Sequence, residues 1–115
     1  MNFNLSQIPE RLPKPRTNGL TMVMDKGLSL DEVSNFLSVN SPHVDIVKLG
    51  FGTSFVTPIL RDKIELYQKN NIPIYFGGTL FEAFLIRNQF NDYIEVLKDY
   101  KIEYAEVSDG SIIIP

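Results

Sequence analysis

The chain has 115 residues, a formal net charge of −3 and no cysteine, and these values exclude several classes of protein. A slightly acidic chain has no general attraction for nucleic acid or for an anionic membrane surface. The lack of cysteine excludes disulfides, thiolate metal sites and cysteine nucleophiles. No apolar run approaches the roughly 18 residues of a membrane span, and no signal-peptide core is present. We therefore expect one small domain, with a cytoplasmic location as the default.

Residues 1–18 differ in composition from the rest of the chain. They contain three prolines and little periodicity, which predicts an irregular N-terminal arm ahead of a domain over 19–115. Three basic residues lie in this arm: Arg11, Lys14 and Arg16. The simplest interpretation is a solvated lead-in, and the alternative is that these cations reach an anionic substrate.

From residue 19 onward the sequence alternates between strand and helix patterns. We predict strands at 19–27, 43–52, 72–78 and 102–110, and helices at 28–40, 57–71 and 79–101. Ser29 with Glu32 is a capping-box signature, and Thr57 with Pro58 is typical of a helix start. The third helix is long, and "RNQF" at its centre is a point where it would break into two.

This alternation, at a spacing of roughly 25–30 residues, predicts an α/β fold with a parallel sheet. A dinucleotide-binding domain needs G-x-G-x-x-G after its first strand, which "MDKGLSL" does not supply. All four predicted strands instead end in polar or glycine-rich residues. In a (β/α)8 barrel such strand ends share one active-site face, so we expect the first half of a TIM barrel: four βα units, the last incomplete.

Three ionisable residues near the strand ends are the candidates for chemistry. Because strand side chains alternate between two faces, one register directs Asp25, Lys48 and Glu106 to the same place. Two carboxylates and a lysine are able to hold Mg²⁺ and move a proton beside it. The alternative interpretation is a buried ion pair with only a structural role.

Glycine and hydroxyl residues follow the second and third strands. Gly50, Gly52, Thr53 and Ser54 would cradle an anion with their backbone N–H groups, or simply form a tight turn. The same two interpretations apply to Gly77, Gly78 and Thr79, where Thr79 would alternatively cap the next helix. Asp109 and Gly110 are typical of a turn, with a metal ligand as the second interpretation.

Four blocks of the sequence together point to a known family. "MDKGLSLDEV", "DIVKLGFGTS", "PIYFGGTLFE" and "YAEVSDGSI" resemble, in order and spacing, the strand ends of the phosphosulfolactate synthase family. The resemblance covers about residues 19–113. It implies a TIM-barrel lyase that forms a C–S bond by adding sulfite to phosphoenolpyruvate with Mg²⁺, giving 2-phospho-3-sulfolactate, the entry to coenzyme M biosynthesis in archaeal members.

The resemblance also implies roles for individual residues. Lys48, Asp25 and Glu106 become catalytic candidates, and Glu106 and Asp109 become metal-ligand candidates. The expected substrate-binding residues carry donors for anions: Lys26, Gly50, Gly52, Thr53, Ser54, Gly77, Gly78, Thr79 and Ser108. Small anions, phosphoenolpyruvate and sulfite, are therefore the expected partners, without nucleic acid or membrane.

A family barrel needs eight strands and about 250 residues, and this sequence supplies four strands. We therefore expect a fragment that is inactive alone, its inner face covered by a second copy or by a missing C-terminal half. The alternative is a non-catalytic half-barrel that serves as a self-associating or stress-related interaction module.

Overall fold

The computed structural model describes residues 2–115 as one α/β layer structure. In chain order the strands are β1 (Met22–Asp25), β2 (Ile46–Leu49) and β3 (Ile74–Phe76). The helices are α1 (Leu30–Asn40), α2 (Thr53–Val56), α3 (Leu60–Lys69), α4 (Gly78–Leu85) and α5 (Phe90–Asp99), with a 3₁₀ turn at Ser41–His43. Residues 2–18 contain no helix or strand. None of the helices described is long and apolar enough to cross a membrane.

The three strands form a parallel sheet in the order β1-β2-β3, which confirms the α/β prediction for this part of the chain. The two faces of the sheet differ in how far other residues cover them. Val47, Leu49 and Phe76 lie on the face that packs into the apolar core with α1 and α3. The register pairs Met24 with Lys48, and Lys48 with Tyr75, so these side chains share the opposite face, which is only partly covered.

Local sequence signals set some of the helix ends. Ser29 Oγ accepts from the Glu32 N–H and the Glu32 carboxylate accepts from the Ser29 N–H, so the predicted capping box of α1 is confirmed. The predicted break in the long helix is also confirmed, because α4 ends at Leu85 and α5 begins at Phe90, with Asn88 at a φ of 57° between them.

The predicted start of the second helix at Thr57 and Pro58 is wrong. The extra short helix α2 precedes it, and Thr57 closes that helix by donating from its N–H and its hydroxyl to the Thr53 carbonyl. With its side chain so used, Thr57 is unable to cap α3, which begins three residues later at Leu60.

The predicted fourth strand at 102–110 is also wrong. Its first residue, Ile102, closes the end of α5 by donating from its N–H to the Leu97 carbonyl, and the segment that follows forms no ladder with β3. Between this segment and the free edge of β3 lies a cavity of about 400 Å³, lined in part by Pro73 and Tyr104. The segment is held by side-chain contacts instead.

Candidate functional site

Lys48 and Glu106 meet at the C-terminal ends of β2 and β3. The Lys48 Nζ atom lies 2.8 Å from each carboxylate oxygen of Glu106, although 58 residues separate them in sequence. Their side chains are 16% and 33% exposed, so the pair is partly open to a ligand. The structure therefore brings together two of the three residues that the sequence singled out for catalysis.

The first turn of α4 completes this group. The Gly78 N–H donates to Glu106 Oε1 over 3.0 Å, adding a backbone donor to the lysine. A Cβ at position 78 would overlap Ser108 Oγ and lie 2.8 Å from Glu106 Oε1, and one at Gly77 would lie 3.0 Å from Lys48 Cε. Position 78 therefore has no room for a Cβ unless Ser108 moves, and position 77 is tight. The predicted helix cap at Thr79 is wrong because Gly77 occupies the N-cap position.

The electrostatic setting fixes the charge of Glu106. The hydrogen bond from Lys48 lowers the pKa of Glu106, and with the Gly78 N–H it outweighs burial, which raises that pKa. Glu106 is therefore a carboxylate at neutral pH. Burial and the nearby Glu106 charge raise the pKa of Tyr75, so the Tyr75 phenol beside the pair stays neutral.

Asp25 does not join this group, and the expected convergence of three residues is wrong. The register places Asp25 beside Leu49, on the core face rather than the face that carries Lys48. There its carboxylate accepts from Lys63 Nζ at 2.8 Å and from the Tyr67 hydroxyl at 2.9 Å. The N–H groups of Gly27 and Leu28 donate to it as well.

This buried cluster has the character of a structural ion pair. The side chains of Asp25 and Lys63 are both fully buried. Burial raises the pKa of Asp25, but the hydrogen bonds from Lys63, from the two N–H groups and from Tyr67 together hold it below its usual value. Lys63 precedes Tyr67 by one helical turn on the buried side of α3, but the sequence alone pairs neither residue with Asp25.

The Gly50–Ser54 loop turns sharply after β2. Phe51 and Gly52 have φ values of 54° and 71°, and a Cβ at Gly50 would lie 2.6 Å from Met24 Sδ. The turn interpretation therefore holds for this loop. Thr53 Oγ1 and Ser54 Oγ are buried and have no hydrogen-bond partner among the described residues.

Lys26 and Asp109 are not in contact with the Lys48–Glu106 pair. The Lys26 ammonium lies 5.0 Å from the centre of the Phe51 ring, above the Gly50–Ser54 loop. Asp109 is exposed. Within residues 2–115 no three His, Asp or Glu side chains form a metal-binding group, and both Glu106 oxygens already accept from Lys48. Magnesium binding by Glu106 and Asp109 stays a prediction.

Two further features were missed or left open by the sequence. Glu82 of α4, for which the sequence gives no functional signal, accepts from Ser108 Oγ over 2.5 Å. The basic residues of the N-terminal arm bind at the other end of the sheet, where Arg16 lies 2.7 Å from Asp45, just before β2, and Lys14 donates to the Ser41 carbonyl. The arm cations therefore do not contribute to the Lys48 group.

Fold and geometry together define a class: a parallel βα protein with a partly open, charged site at its strand ends, where ligands bind in such folds. The profile of one family, (2R)-phospho-3-sulfolactate synthase (ComA), matches residues 9–115. The chain belongs to this family.

Three curated relatives agree with the assignment, and each is called phosphosulfolactate synthase. The Bacillus subtilis protein is 33% identical over 112 residues, covering 97% of this chain and 44% of the relative. The Methanothermobacter thermautotrophicus protein is 32% identical, covering 92% and 42%. The Methanocaldococcus jannaschii protein is 39% identical over 95 residues, covering 81% and 38%. The chain thus spans about two fifths of the length of these relatives.

Proposed function

We propose that the chain carries part of the active site of a phosphosulfolactate synthase, which adds sulfite to phosphoenolpyruvate and forms 2-phospho-3-sulfolactate. The observation that carries the proposal is the meeting of Lys48 Nζ, the Gly78 N–H and the Glu106 carboxylate at the strand ends. Family membership supports the same reaction. Because the chain spans only part of its relatives, the whole activity and its substrates are proposals.

The proposed reaction needs a cation beside the substrate carboxylate. Sulfite attacks the methylene carbon of phosphoenolpyruvate, a C–S bond forms, and the electron pair of the double bond moves toward the carboxylate. A proton then adds to the carbon that bears the phosphate. The Lys48 ammonium, on a partly open face and within reach of a ligand, would stabilise the negative charge that develops on the carboxylate.

Glu106 and Lys48 take different parts in this scheme. With its pKa below the usual range, Glu106 has no proton to give at neutral pH, so it orients the Lys48 ammonium rather than acting as the acid. The substrate carboxylate would share or replace Glu106 as the acceptor from Lys48 and the Gly78 N–H. The Lys26 ammonium, which lies over the Phe51 ring, would meet the phosphate.

The architecture belongs to the proposal as well. At the β3 edge the sheet would continue into the remaining strands of a TIM barrel, and the partly covered face would line the inside of that barrel. A second copy or a C-terminal half would contribute the remaining strands. No step above passes through a metal. Mg²⁺ on Glu106 and Asp109, and a cytoplasmic location, stay predictions.

Binding of phosphoenolpyruvate to the 115-residue chain, measured by calorimetry, tests the site. We expect Lys48→Met to weaken binding about tenfold or more, the effect of losing a hydrogen bond to a charged group. Lys98→Met, which removes an exposed lysine of α5, is the matched control. Equal affinity in Lys48→Met and the unaltered chain would contradict the proposed site.

The reaction itself is followed by phosphorus NMR as sulfite-dependent consumption of phosphoenolpyruvate. A chain as long as the relatives, with Lys48 and Glu106 intact, is expected to convert it, and Lys48→Met to slow the conversion about 10²–10³-fold. If the intact protein consumes no phosphoenolpyruvate in the presence of sulfite, the proposed reaction is wrong.

One observation favours a second candidate, a self-associating half-barrel without catalysis. Met22, on the partly covered face, is 45% exposed, and Ile46 beside it on β2 and Tyr75 on β3 are only half-buried. Such a face gains free energy when it is covered. Light scattering at several concentrations distinguishes the two: in the second candidate Ile46→Asp abolishes a dimer, whereas Lys48→Met leaves both the dimer and the function unchanged.

A further inference from the structure

Glu82 is a buried carboxylate outside the group already described. It lies on α4 one turn after Gly78, and only 4% of its surface is exposed. Three donors from the C-terminal segment satisfy it: Ser108 Oγ at 2.5 Å, the Ser111 N–H at 2.6 Å and Ser111 Oγ at 2.8 Å. Every one of these contacts reaches back across 26 to 29 residues of sequence to the same helix.

The segment that Glu82 holds, residues 106–111, is the one that delivers Glu106 to Lys48. It contains no strand or helix, so no backbone ladder fixes its path. Its links to α4 are side-chain bonds: Glu106 to the Gly78 N–H, and Ser108 and Ser111 to Glu82. The loss of conformational entropy on ordering six residues of backbone is larger than the free energy that one partly exposed ion pair contributes. The Lys48–Glu106 pair therefore does not fix the segment alone.

We propose that Glu82 is the positioning residue of this site: by binding Ser108 and Ser111 it fixes the 106–111 segment, and thereby keeps the Glu106 carboxylate on Lys48 and on the Gly78 N–H. Glu82 and Gly78 lie four residues apart on one face of α4, so the helix sets the distance between the two attachment points. The consequence for catalysis rests on the proposed function, but the positioning itself does not.

Charge and position act on Glu106 in opposite directions, which makes the inference testable. The negative charge of Glu82 raises the pKa of Glu106, whereas the hydrogen bonds from Lys48 and Gly78 lower it. A variant that only removes the charge of Glu82 should therefore lower the pKa of Glu106. A variant that also releases the segment weakens those hydrogen bonds and should raise it.

Glu82→Gln and Glu82→Ala separate the two effects in the 115-residue chain. Both remove the charge, but glutamine keeps an oxygen that is able to accept from Ser111, and alanine keeps none. Carboxyl NMR signals give the pKa of Glu106, and amide hydrogen exchange reports on the Gly78 N–H. Glu95→Ala, at an exposed glutamate of α5, is the control for loss of a surface carboxylate.

We expect Glu82→Ala to raise the pKa of Glu106 and to speed exchange of the Gly78 N–H about tenfold, the effect of losing one hydrogen bond to a charged group. In Glu82→Gln the exchange stays near that of the unaltered chain and the pKa of Glu106 falls. If Glu82→Ala and Glu82→Gln give the same pKa and the same exchange rate, Glu82 acts through its charge alone and the inference is wrong.

A second pair of changes covers the case in which Glu82→Ala does not fold. The double variant Ser108→Ala with Ser111→Ala leaves Glu82 in place and removes the two hydroxyl donors, so it should raise the pKa of Glu106 as Glu82→Ala does. An unchanged pKa of Glu106 in this double variant would overturn the inference. Neither the pKa of Glu106 nor the exchange of the Gly78 N–H is measured with phosphoenolpyruvate. These measurements therefore test the positioning role independently of the proposed reaction.

Discussion

Replacing Lys63 by methionine removes the cation of a fully buried ion pair and nearly preserves its volume. The Asp25 carboxylate then keeps three neutral donors, the Tyr67 hydroxyl and the N–H groups of Gly27 and Leu28, but loses the ammonium 2.8 Å away. Leaving a buried charge without its partner costs about 3–5 kcal/mol. Because three donors remain on Asp25, we expect Lys63→Met to lower the free energy of unfolding by about 3 kcal/mol.

The pH dependence of this variant follows from the pKa of Asp25. In the unaltered chain that pKa lies below its usual value of 3.8, so the carboxylate stabilises the fold at neutral pH and this contribution is lost as the pH falls through the lowered pKa. Without Lys63, burial dominates and the pKa of Asp25 rises. Protonation of Asp25 then relieves the cost, so the difference in stability between the two chains shrinks as the pH falls.

Urea denaturation followed by circular dichroism, at several pH values between about 7 and about 4, measures the cost at neutral pH and its decrease as the pH falls toward the usual range of an aspartate. Lys98→Met, with an exposed ion pair to Glu95, is the control and should change the free energy of unfolding by less than about 1 kcal/mol. A cost below about 1 kcal/mol for Lys63→Met at neutral pH would refute the argument that the buried pair stabilises this fold.

Three further changes have distinct expected results. Gly78→Ala places a Cβ against Ser108 Oγ, so we expect phosphoenolpyruvate affinity to fall about tenfold or more in calorimetry, while Gly110→Ala, with open space around it, leaves the affinity unchanged. Ser29→Ala should lower the free energy of unfolding by about 1 kcal/mol in urea titrations, because it removes the N-cap of α1. Arg16→Ala should lower the melting temperature and leave that affinity unchanged, since this arginine lies at the far end of the sheet; weaker binding in this variant would place the ligand elsewhere.

Local patterns in the sequence were sufficient for much of the fold. The three βα alternations, the capping box at Ser29 and Glu32, and the break at "RNQF" depend on neighbours within a few residues, and all three are present in the structure. The meeting of Lys48 with Glu106 was predicted from the alternation of strand side chains, but Glu106 reaches Lys48 from a segment that forms no strand. The catalytic and binding roles of these residues remain predictions.

The side of the sheet to which Asp25 points was not predictable from the sequence. Met22, Val23 and Met24 are all apolar, so alternation along β1 does not distinguish the core face from the other face. The outcome depends on Lys63 and Tyr67, 38 and 42 residues away, which supply the partners for a buried carboxylate.

The error at residues 102–110 has a similar origin. "IEYAEV" contains residues that favour strands, but a strand forms only where a neighbouring backbone pairs with it. Here the polar side chains of the segment bind α4 instead, through Glu82 and the Gly78 N–H. Such long-range polar contacts leave no periodic pattern in a sequence.

The most direct test of the proposed site is an NMR titration of the isotope-labelled 115-residue chain with phosphoenolpyruvate. We expect the amide signals at the strand ends to shift together, those of Gly50, Gly52, Thr53 and Gly78, and we expect Lys48→Met to suppress the shifts. Shifts confined to the arm around Arg16, or shifts that survive in Lys48→Met, would contradict an anion site at Lys48 and Gly78.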